Sequence, residues 1–530
     1  MCPLSNFKQG FKKEDRLDPI IDNDSYLMRD ELDIKRDGFS RDRDRIVFST
    51  AFRRLQHKAQ VFSNERSDHV RTRLTHTLEV SGISRSLACY LGVNENLAEA
   101  IALGHDIGHT PFGHEGERIL DDVLSGKDDL GEQLPVKINY GGFKHNFHSV
   151  RVLDVVQKKY ENKKGLNLSW QVLEGILKHT KTKRCNNECR DCGKCWDIRR
   201  FVSDKRVIPR LYLDFPFSVT IEGQIVCIAD EIAQREHDLD DGFRSRTIKN
   251  DIGLEIIDYC EKIIKKYHQI NKKESEGNQV KNLKLLENLV EKLKLNRASK
   301  DSYYKKETLI RNIIDYFIHD VYFEVQNQKE NILCEYNLHG DLILKKEVVK
   351  FSPIASELNE KLESLIKIQI LNSWDVNKFD GRANHLIKQL FKAYYNNPLQ
   401  MMPYGFTALK KKIEENNAYY NIILEEDNFN IKDIDFKKSN KSDIQSVFSV
   451  LKLENIDKLN LPSELQNTNL KELAEKYNKL SKLNLSELKD DQDKFIKCLF
   501  ENNYAFLSTI SDYIAGMSDN FAIKSYEELY

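Results

Sequence analysis

The sequence predicts a mainly α-helical protein, on two observations. Apolar residues recur at three- and four-residue spacing through residues 41–330, and only 10 prolines and 23 glycines interrupt 530 residues. The spacing predicts, in chain order, helices over residues 74–91, 95–107, 169–179, 221–238 and 308–323.

The chain is too long for one core, because single domains usually stop growing at roughly 250 to 300 residues. We expect an N-terminal arm of residues 1–40, a helical core of residues 41–330 and a C-terminal helical region of residues 331–530. From residue 251 onward lysine, asparagine and glutamate dominate, which is typical of solvated helix faces and loops; residues 425–442 are predicted to be an exposed loop.

The net charge and the hydropathy of the chain argue against general binding to nucleic acid and against a membrane protein. Lysine and arginine total 82 against 83 aspartate and glutamate, so the net charge of -1 provides no general attraction to nucleic acid or to a membrane surface. The N-terminus has no apolar signal segment, and no later stretch has the roughly 18 apolar residues of a membrane span. These features predict a soluble cytoplasmic protein.

Four side chains suggest a metal site: His76 in RTRLTHTLEV, the adjacent His105 and Asp106 in ALGHDIGH, and Asp230 in VCIADEIAQ. Imidazole nitrogens and carboxylate oxygens together suit first-row divalent metals. Both histidines are in phase with the apolar positions of their predicted helices, and Asp230 shares its helix face with small residues. A buried aspartate is costly without a cation, so a metal is the expected partner.

The same region contains further polar residues of types common in catalysis. His109, His114 and Glu117 follow the His-Asp pair within twelve residues. Any one of these histidines alone is more often a satisfied core residue. The whole set on a background of small residues is harder to explain by packing.

The motifs together resemble one family. HTPFGHEGE and FRRLQHKAQVF, supported by GGFKHN, LEGILKHT, ADEIAQREHDLDDG and SDYIAGMSDNFA, resemble the deoxyguanosine triphosphate triphosphohydrolase family of the HD-domain superfamily. The resemblance extends from residue 41 to 522 and is weakest between residues 251 and 502. It implies an HD-domain helical core.

The resemblance also implies roles for individual residues. The divalent metal, such as Mn, Mg or Fe, would be bound by His76, His105, Asp106 and Asp230; the catalytic pair would be His114 and Glu117; and substrate would be contacted by Gln60, Arg73, His109, His145 and Asp238. Within that last set, Arg73 and His109 would contact phosphate, Gln60 the sugar and Asp238 the 3'-hydroxyl. The spacing of three places His114 and Glu117 on one face of a helix predicted to begin near Gly113.

The implied activity is hydrolysis of a deoxynucleoside triphosphate, with dGTP as the expected substrate, to the deoxynucleoside and tripolyphosphate. Relatives usually have tyrosine four residues after the metal aspartate, where this chain has Gln234, so the base preference stays open. Two alternatives remain: an HD phosphohydrolase of another nucleotide, such as a cyclic dinucleotide or an alarmone, and a regulatory oligomer that binds nucleotide or single-stranded DNA and has vestigial activity.

Two further features of the sequence are a basic segment and a cysteine cluster. The basic residues are Arg199, Arg200, Lys205, Arg206 and Arg210; they could bind a nucleotide effector or DNA, or form a solvated face. The cluster of Cys185, Cys189, Cys192 and Cys195 is a small insertion with C-x3-C-x2-C-x2-C spacing. Four such thiols fit a structural zinc or an iron-sulfur centre, and the spacing does not decide between them. We also expect a homo-oligomer.

Overall fold

The computed structural model describes most of the chain from residue 38 to the C-terminus. The described residues are 38–60, 71–157, 159–160, 165–180, 208–245, 248, 252–271, 279–297, 302–328, 332, 334–336, 342–415, 451–453, 465, 468–480, 488 and 490–530. Helices dominate them, and the only strands within them form one two-stranded antiparallel sheet in which Glu335 pairs with Ile343. The mainly α prediction is confirmed. The cysteine cluster and the predicted loop at residues 425–442 lie outside the described residues.

The described residues divide into two compact units, each treated by itself. The first contains residues 38–109, 145–180 and 208–380, and the second contains residues 110–144 and 381–530. The predicted domain limits at residues 40 and 330 stay predictions.

The first unit contains most of the helices. They are α1 (Gly38–Val47), α2 (Thr50–Arg54), α3 (Arg73–Leu91), α4 (Glu95–Gly104), α6 (His145–Arg151), α7 (Trp170–Leu177), α8 (Ile221–Arg244), α9 (Ile252–Asn271), α10 (Gln279–Arg297), α11 (Ser302–Gln328) and α12 (Pro353–Ile366), with strands β1 (Cys334–Tyr336) and β2 (Leu342–Leu344). Short helical turns cover Leu55–His57, Val152–Val156, Ile208–Leu211 and Lys367–Leu371.

The second unit contains α5 (Gly113–Leu124), α14 (Pro403–Glu415), α15 (Leu470–Leu480), α16 (Asp491–Ala515), α17 (Asp519–Leu529) and the turn Pro398–Gln400. Helix α13 (Trp374–Asn396) includes the boundary at residue 380. Within the second unit, α16 packs against α5, α14 and α15.

Helix α4 occupies the middle of the first unit because it is apolar almost all round. Its residues from Ala100 to Gly104 are all buried, and it packs against α1, α3, α7 and α8. Helix α3 in turn packs against α8. The three helices that include or adjoin the predicted metal ligands are therefore held together by apolar packing.

Local sequence signals explain where these helices begin and end. Thr72 caps the N-terminus of α3 in a reciprocal capping box with Thr75. Gly92 follows the last residue of α3, and its φ of 69° places it in the left-handed region that glycine tolerates. Asn94 and Thr220 cap α4 and α8 by accepting hydrogen bonds from backbone N–H groups.

The predicted helix over residues 95–107 is too long, because α4 ends at Gly104. The next residues turn sharply against α6. A Cβ at Gly108 would lie 2.1 Å from the Ser149 nitrogen and 2.4 Å from the His145 oxygen, so only glycine allows this approach. His105 and Asp106 consequently lie at the end of α4 and in the turn after it.

No described helix has the length and apolar character needed to span a membrane.

Glu222, in the first turn of α8, gives a pH-dependent stability prediction. It is buried and accepts a hydrogen bond from the Asn94 N–H at 3.0 Å, and burial raises its pKa to about 7. The folded protein therefore binds this proton more tightly than the unfolded chain, whose pKa is about 4.5. The favourable contribution of Glu222 is complete below pH 4.5 and is lost as the pH rises towards 7.

Glu222→Gln keeps the acceptor but is never ionised. Its free energy of unfolding relative to wild type should rise between pH 5 and pH 8 by up to about 3 kcal/mol, measured by urea denaturation. Glu255→Gln, at an exposed position in the first turn of α9, is the matched control and should show a much smaller change. A pH-independent effect of Glu222→Gln would contradict the prediction.

Candidate metal centre

The four predicted metal ligands lie together in the first unit. His76 is on α3, His105 and Asp106 follow the body of α4, and Asp230 is on α8. His76 Nε2 lies 3.0 Å from Asp230 Oδ1 and 3.8 Å from Asp106 Oδ2. His105 Nε2 lies 3.4 Å from Asp106 Oδ1 and 3.7 Å from Asp230 Oδ1.

The orientation of His105 fits a metal ligand. Its Nδ1 lies 2.6 Å from the carbonyl oxygen of Ala102, and since a carbonyl only accepts, Nδ1 carries the proton. In the neutral ring Nε2 then presents a lone pair towards Asp106 and Asp230. This buried nitrogen has no hydrogen-bond partner among the described residues, as expected of an imidazole nitrogen that binds a metal.

The two carboxylates are held in the ionised form that a cation requires. Burial opposes ionisation, but the imidazoles and Arg73 outweigh it: His105, His109 and Arg73 lower the pKa of Asp106 well below its usual value. At Asp230 burial again opposes ionisation, but the nearby His76 and His105 lower the pKa to about 2. The chemistry of this donor set therefore fits a divalent metal.

Arg73 provides an anion-binding group beside the carboxylates. It is buried at the start of α3, and its Nη1 donates to Asp106 Oδ2 at 2.7 Å. Its Nε and Nη2 are buried and have no hydrogen-bond partner in the described part of the chain. Burying a charged donor without a hydrogen bond lowers the stability of the fold, and a phosphate oxygen would accept hydrogen bonds from these two nitrogens.

Further histidines extend the site. His109 Nε2 lies 3.1 Å from Asp106 Oδ1, and the His109 ring stacks on His145 with centroids 3.9 Å apart. His145 Nε2 lies 3.2 Å from His179 Nε2. Burial, first of all, lowers the pKa of His109 well below its usual value and that of His179 to about 4, so both rings are neutral.

His179 was not among the predicted site residues, although it belongs to the quoted segment LEGILKHT. Its Nδ1 donates to the Ile176 carbonyl at 2.7 Å, so Nε2 presents a lone pair, as in His105. Ligand atoms of Asp106, His145 and His179 all lie within 4.8 Å of one another.

The predicted catalytic pair lies in the second unit, on α5. His114 and Glu117 share one face of this helix, with 3.4 Å between His114 Nδ1 and Glu117 Oε2. His114 is 66 % exposed at the side chain, whereas Glu117 is buried and pairs with Lys144 at 3.2 Å. The helix begins at Gly113, where the sequence predicted it.

The remaining predicted substrate residues lie on elements next to the metal ligands. Gln60 follows Ala59, which bridges to Thr72 just before α3; the Gln60 Oε1 is buried and has no hydrogen-bond partner among the described residues. Asp238 is buried on α8, two helical turns beyond Asp230. Gln234 is partly buried one turn beyond Asp230.

One residue of the basic segment, Arg210, is among the described residues. Arg210 is in the turn Ile208–Leu211, and the other four basic residues lie outside the described part of the chain.

A comparison with protein-family profiles shows the class to which the protein belongs. The HD-domain family profile matches residues 73–234, which include all four candidate ligands. Together with the helical fold and the convergent His, His-Asp and Asp side chains, this match makes the protein an HD-domain phosphohydrolase.

Similarity to curated proteins then defines the family. A deoxyguanosinetriphosphate triphosphohydrolase-like protein of Geobacter metallireducens is 36 % identical over 68 % of this chain and 78 % of its own. Proteins of that name from Nitrobacter hamburgensis and Rickettsia canadensis are each 33 % identical, over 68 % and 72 % of this chain and 80 % and 87 % of their own. The chain belongs to this family of deoxyguanosinetriphosphate triphosphohydrolase-like proteins.

Proposed function

We propose that the protein hydrolyses deoxynucleoside triphosphates, dGTP among them, to the deoxynucleoside and tripolyphosphate, with a divalent metal at the HD site. The observation that carries the proposal is the convergence of His76, His105, Asp106 and Asp230, with the bare Nε2 of His105 directed at the two carboxylates. A metal bound there would polarise a phosphate oxygen and lower the pKa of a coordinated water towards neutrality.

The protein's own residues would bind and orient the triphosphate. The unpartnered donors of buried Arg73 suit phosphate oxygens and would offset charge that develops during phosphoryl transfer. Neutral His109 lies beside Asp106 and, by the family resemblance, also contacts phosphate. The same resemblance assigns proton transfer to His114, oriented by Glu117.

Gln60 and Asp238 would recognise the deoxyribose, and His145 would complete the substrate contacts. A site that hydrogen-bonds the 3'-hydroxyl can leave a 2'-hydroxyl without room or partners, which would disfavour ribonucleotides. Gln234 replaces an aromatic residue and could weaken selection of guanine.

The wider proposal covers three further features. The chain would form a homo-oligomer in the cytoplasm, and its cysteine cluster would bind zinc or an iron-sulfur centre away from catalysis. A nucleotide effector or single-stranded DNA is the ligand proposed for the basic segment. These three features are supported by the sequence pattern and the resemblance alone.

Product analysis tests the central proposal. Purified protein would be incubated separately with each dNTP and with GTP, in the presence of Mn²⁺ or Mg²⁺, and the products separated by ion-exchange chromatography. We expect deoxynucleoside and tripolyphosphate from dGTP, slower turnover of GTP, and no reaction after chelation. Release of pyrophosphate with a monophosphate, or equal turnover of GTP, would exclude this reaction; the relative rates of the four dNTPs measure the base preference.

A further inference from the structure

A chain of polar contacts extends from His76 on the side of the ring opposite the carboxylates. His76 Nδ1 lies 2.9 Å from His237 Nδ1, and the two rings meet edge to face with centroids 4.8 Å apart. The other nitrogen of His237, Nε2, hydrogen-bonds the carboxylate of Glu79. Glu79 is one turn beyond His76 on α3, and His237 is two turns beyond Asp230 on α8, so helix geometry places all three side chains at this contact.

Arg71 anchors the far end of this chain. Its Nε lies 3.3 Å from Glu79, its Nη2 donates to Glu236 at 2.9 Å, and Nη1 contacts Asp240. Because Arg71 can only donate, Glu79 accepts from it and is also set up to accept from His237. The Glu79 carboxylate is thereby tied to α8 through both neighbours.

The hydrogen-bond donors can be assigned by elimination. If Glu79 accepts, His237 Nε2 carries a proton, and a neutral His237 then presents a bare Nδ1. His76 must therefore donate from Nδ1. Its Nε2 then presents a lone pair towards Asp230 and Asp106, where the cation of the proposed metal site would lie between these acceptors.

The opposite assignment is unfavourable. If His237 donated from Nδ1 to His76, its bare Nε2 would face the Glu79 carboxylate, so two acceptors would meet without a proton between them. His76 would then carry its proton on Nε2, the nitrogen that faces the metal site, and could not bind a cation through it.

We propose that His237 is a positioning residue that, with Glu79, holds His76 in the tautomer required for metal binding and so sets the affinity of the HD site for a divalent cation. The inference rests on the proposed metal site. It adds two residues to that site, and both lie on the Nδ1 side of His76, away from Asp106 and Asp230. Hydrogen bonds behind a metal-binding histidine commonly change metal affinity by about 10- to 100-fold.

The test is a titration of metal-stripped, full-length protein with Mn²⁺ alone, with free Mn²⁺ measured by its electron paramagnetic resonance signal. His237→Leu removes both hydrogen bonds and should weaken binding by about 10- to 100-fold. His237→Asn keeps an oxygen where Nδ1 accepts from His76 and should recover most of the affinity. His268→Leu, which breaks an exposed histidine–glutamate pair with Glu287, is the matched control and should bind as wild type does.

Thermal unfolding of each variant in chelator checks that the metal-free fold persists. The proposal is overturned if His237→Leu binds Mn²⁺ as tightly as wild type. Equal losses in His237→Leu and His237→Asn would also overturn it, because packing and not the hydrogen bond would then be responsible. Wild-type protein and Asp106→Asn are also compared. If the two bind the same amount of Mn²⁺, the proposed metal site itself is wrong, and this result differs from both outcomes for the His237 variants.

Discussion

Asp106→Asn should abolish Mn²⁺ binding at the HD site and reduce dNTP hydrolysis by about 10³-fold or more. Asp106 accepts from Arg73 at 2.7 Å, lies 3.1 Å from His109 and faces both candidate histidine ligands, His76 and His105. Asparagine is neutral and has only one acceptor oxygen, so it cannot face both Arg73 and His109 with an acceptor as the aspartate does. The metal would stabilise charge in the transition state by several kcal/mol, and losing about 4 kcal/mol of activation free energy slows a reaction about 10³-fold.

Measurements of kcat/KM and of bound Mn²⁺ by elemental analysis check this expectation together. Asp320→Asn is the matched control, because Asp320 is also a fully buried aspartate of the first unit, held by Ser352 and Asn282. It should lower the free energy of unfolding by about 1 to 3 kcal/mol while Mn²⁺ stoichiometry stays at the wild-type level. Full metal content and activity in Asp106→Asn would remove the basis for the HD site.

His114→Ala should reduce turnover by about 10²- to 10⁴-fold while Mn²⁺ and nucleotide still bind, because the family resemblance gives this side chain a proton-transfer role. His114 is exposed, so its loss should change stability little. Glu117→Gln should give a related, milder defect, since Glu117 Oε2 lies 3.4 Å from His114 Nδ1 and the proposed role of Glu117 is to orient that ring.

The readouts are kcat, bound Mn²⁺ and nucleotide affinity by calorimetry. His385→Ala, which removes another exposed histidine of the second unit, is the control and should leave all three unchanged. Loss of metal from His114→Ala would show that the side chain is a ligand. Unchanged kcat would show that it transfers no proton in the rate-limiting step.

Helical periodicity predicted where helices occur better than where they end. Helix α5 begins at Gly113 as predicted, but the segment after residue 95 stops at Gly104. The apolar pattern continues to Ile107, and the close approach of Gly108 to α6 that turns the chain is a tertiary contact. One chain's local pattern cannot reveal such a contact.

The candidate metal ligands were identifiable because they occur in short motifs, whereas the residues proposed to position them were not. His179 and His237 lie in LEGILKHT and REHDLDD, and nothing in a lone histidine distinguishes a support from a satisfied core residue. The seven-residue interval from Asp230 to His237 and the three-residue interval from His76 to Glu79 are visible in the sequence. That these faces oppose each other depends on the packing of α3 against α8.

The hydroxyl of Ser149 holds the His-Asp turn by two hydrogen bonds. It donates to the His105 carbonyl at 2.7 Å and accepts from the Gly108 N–H at 2.9 Å, closing both ends of the turn against α6. This turn is thus held by hydrogen bonds within the protein, unlike a zinc finger, where the ion drives folding. Metal release should therefore leave the fold intact, and the ion's contribution to stability follows mass action, growing only with the logarithm of its free concentration.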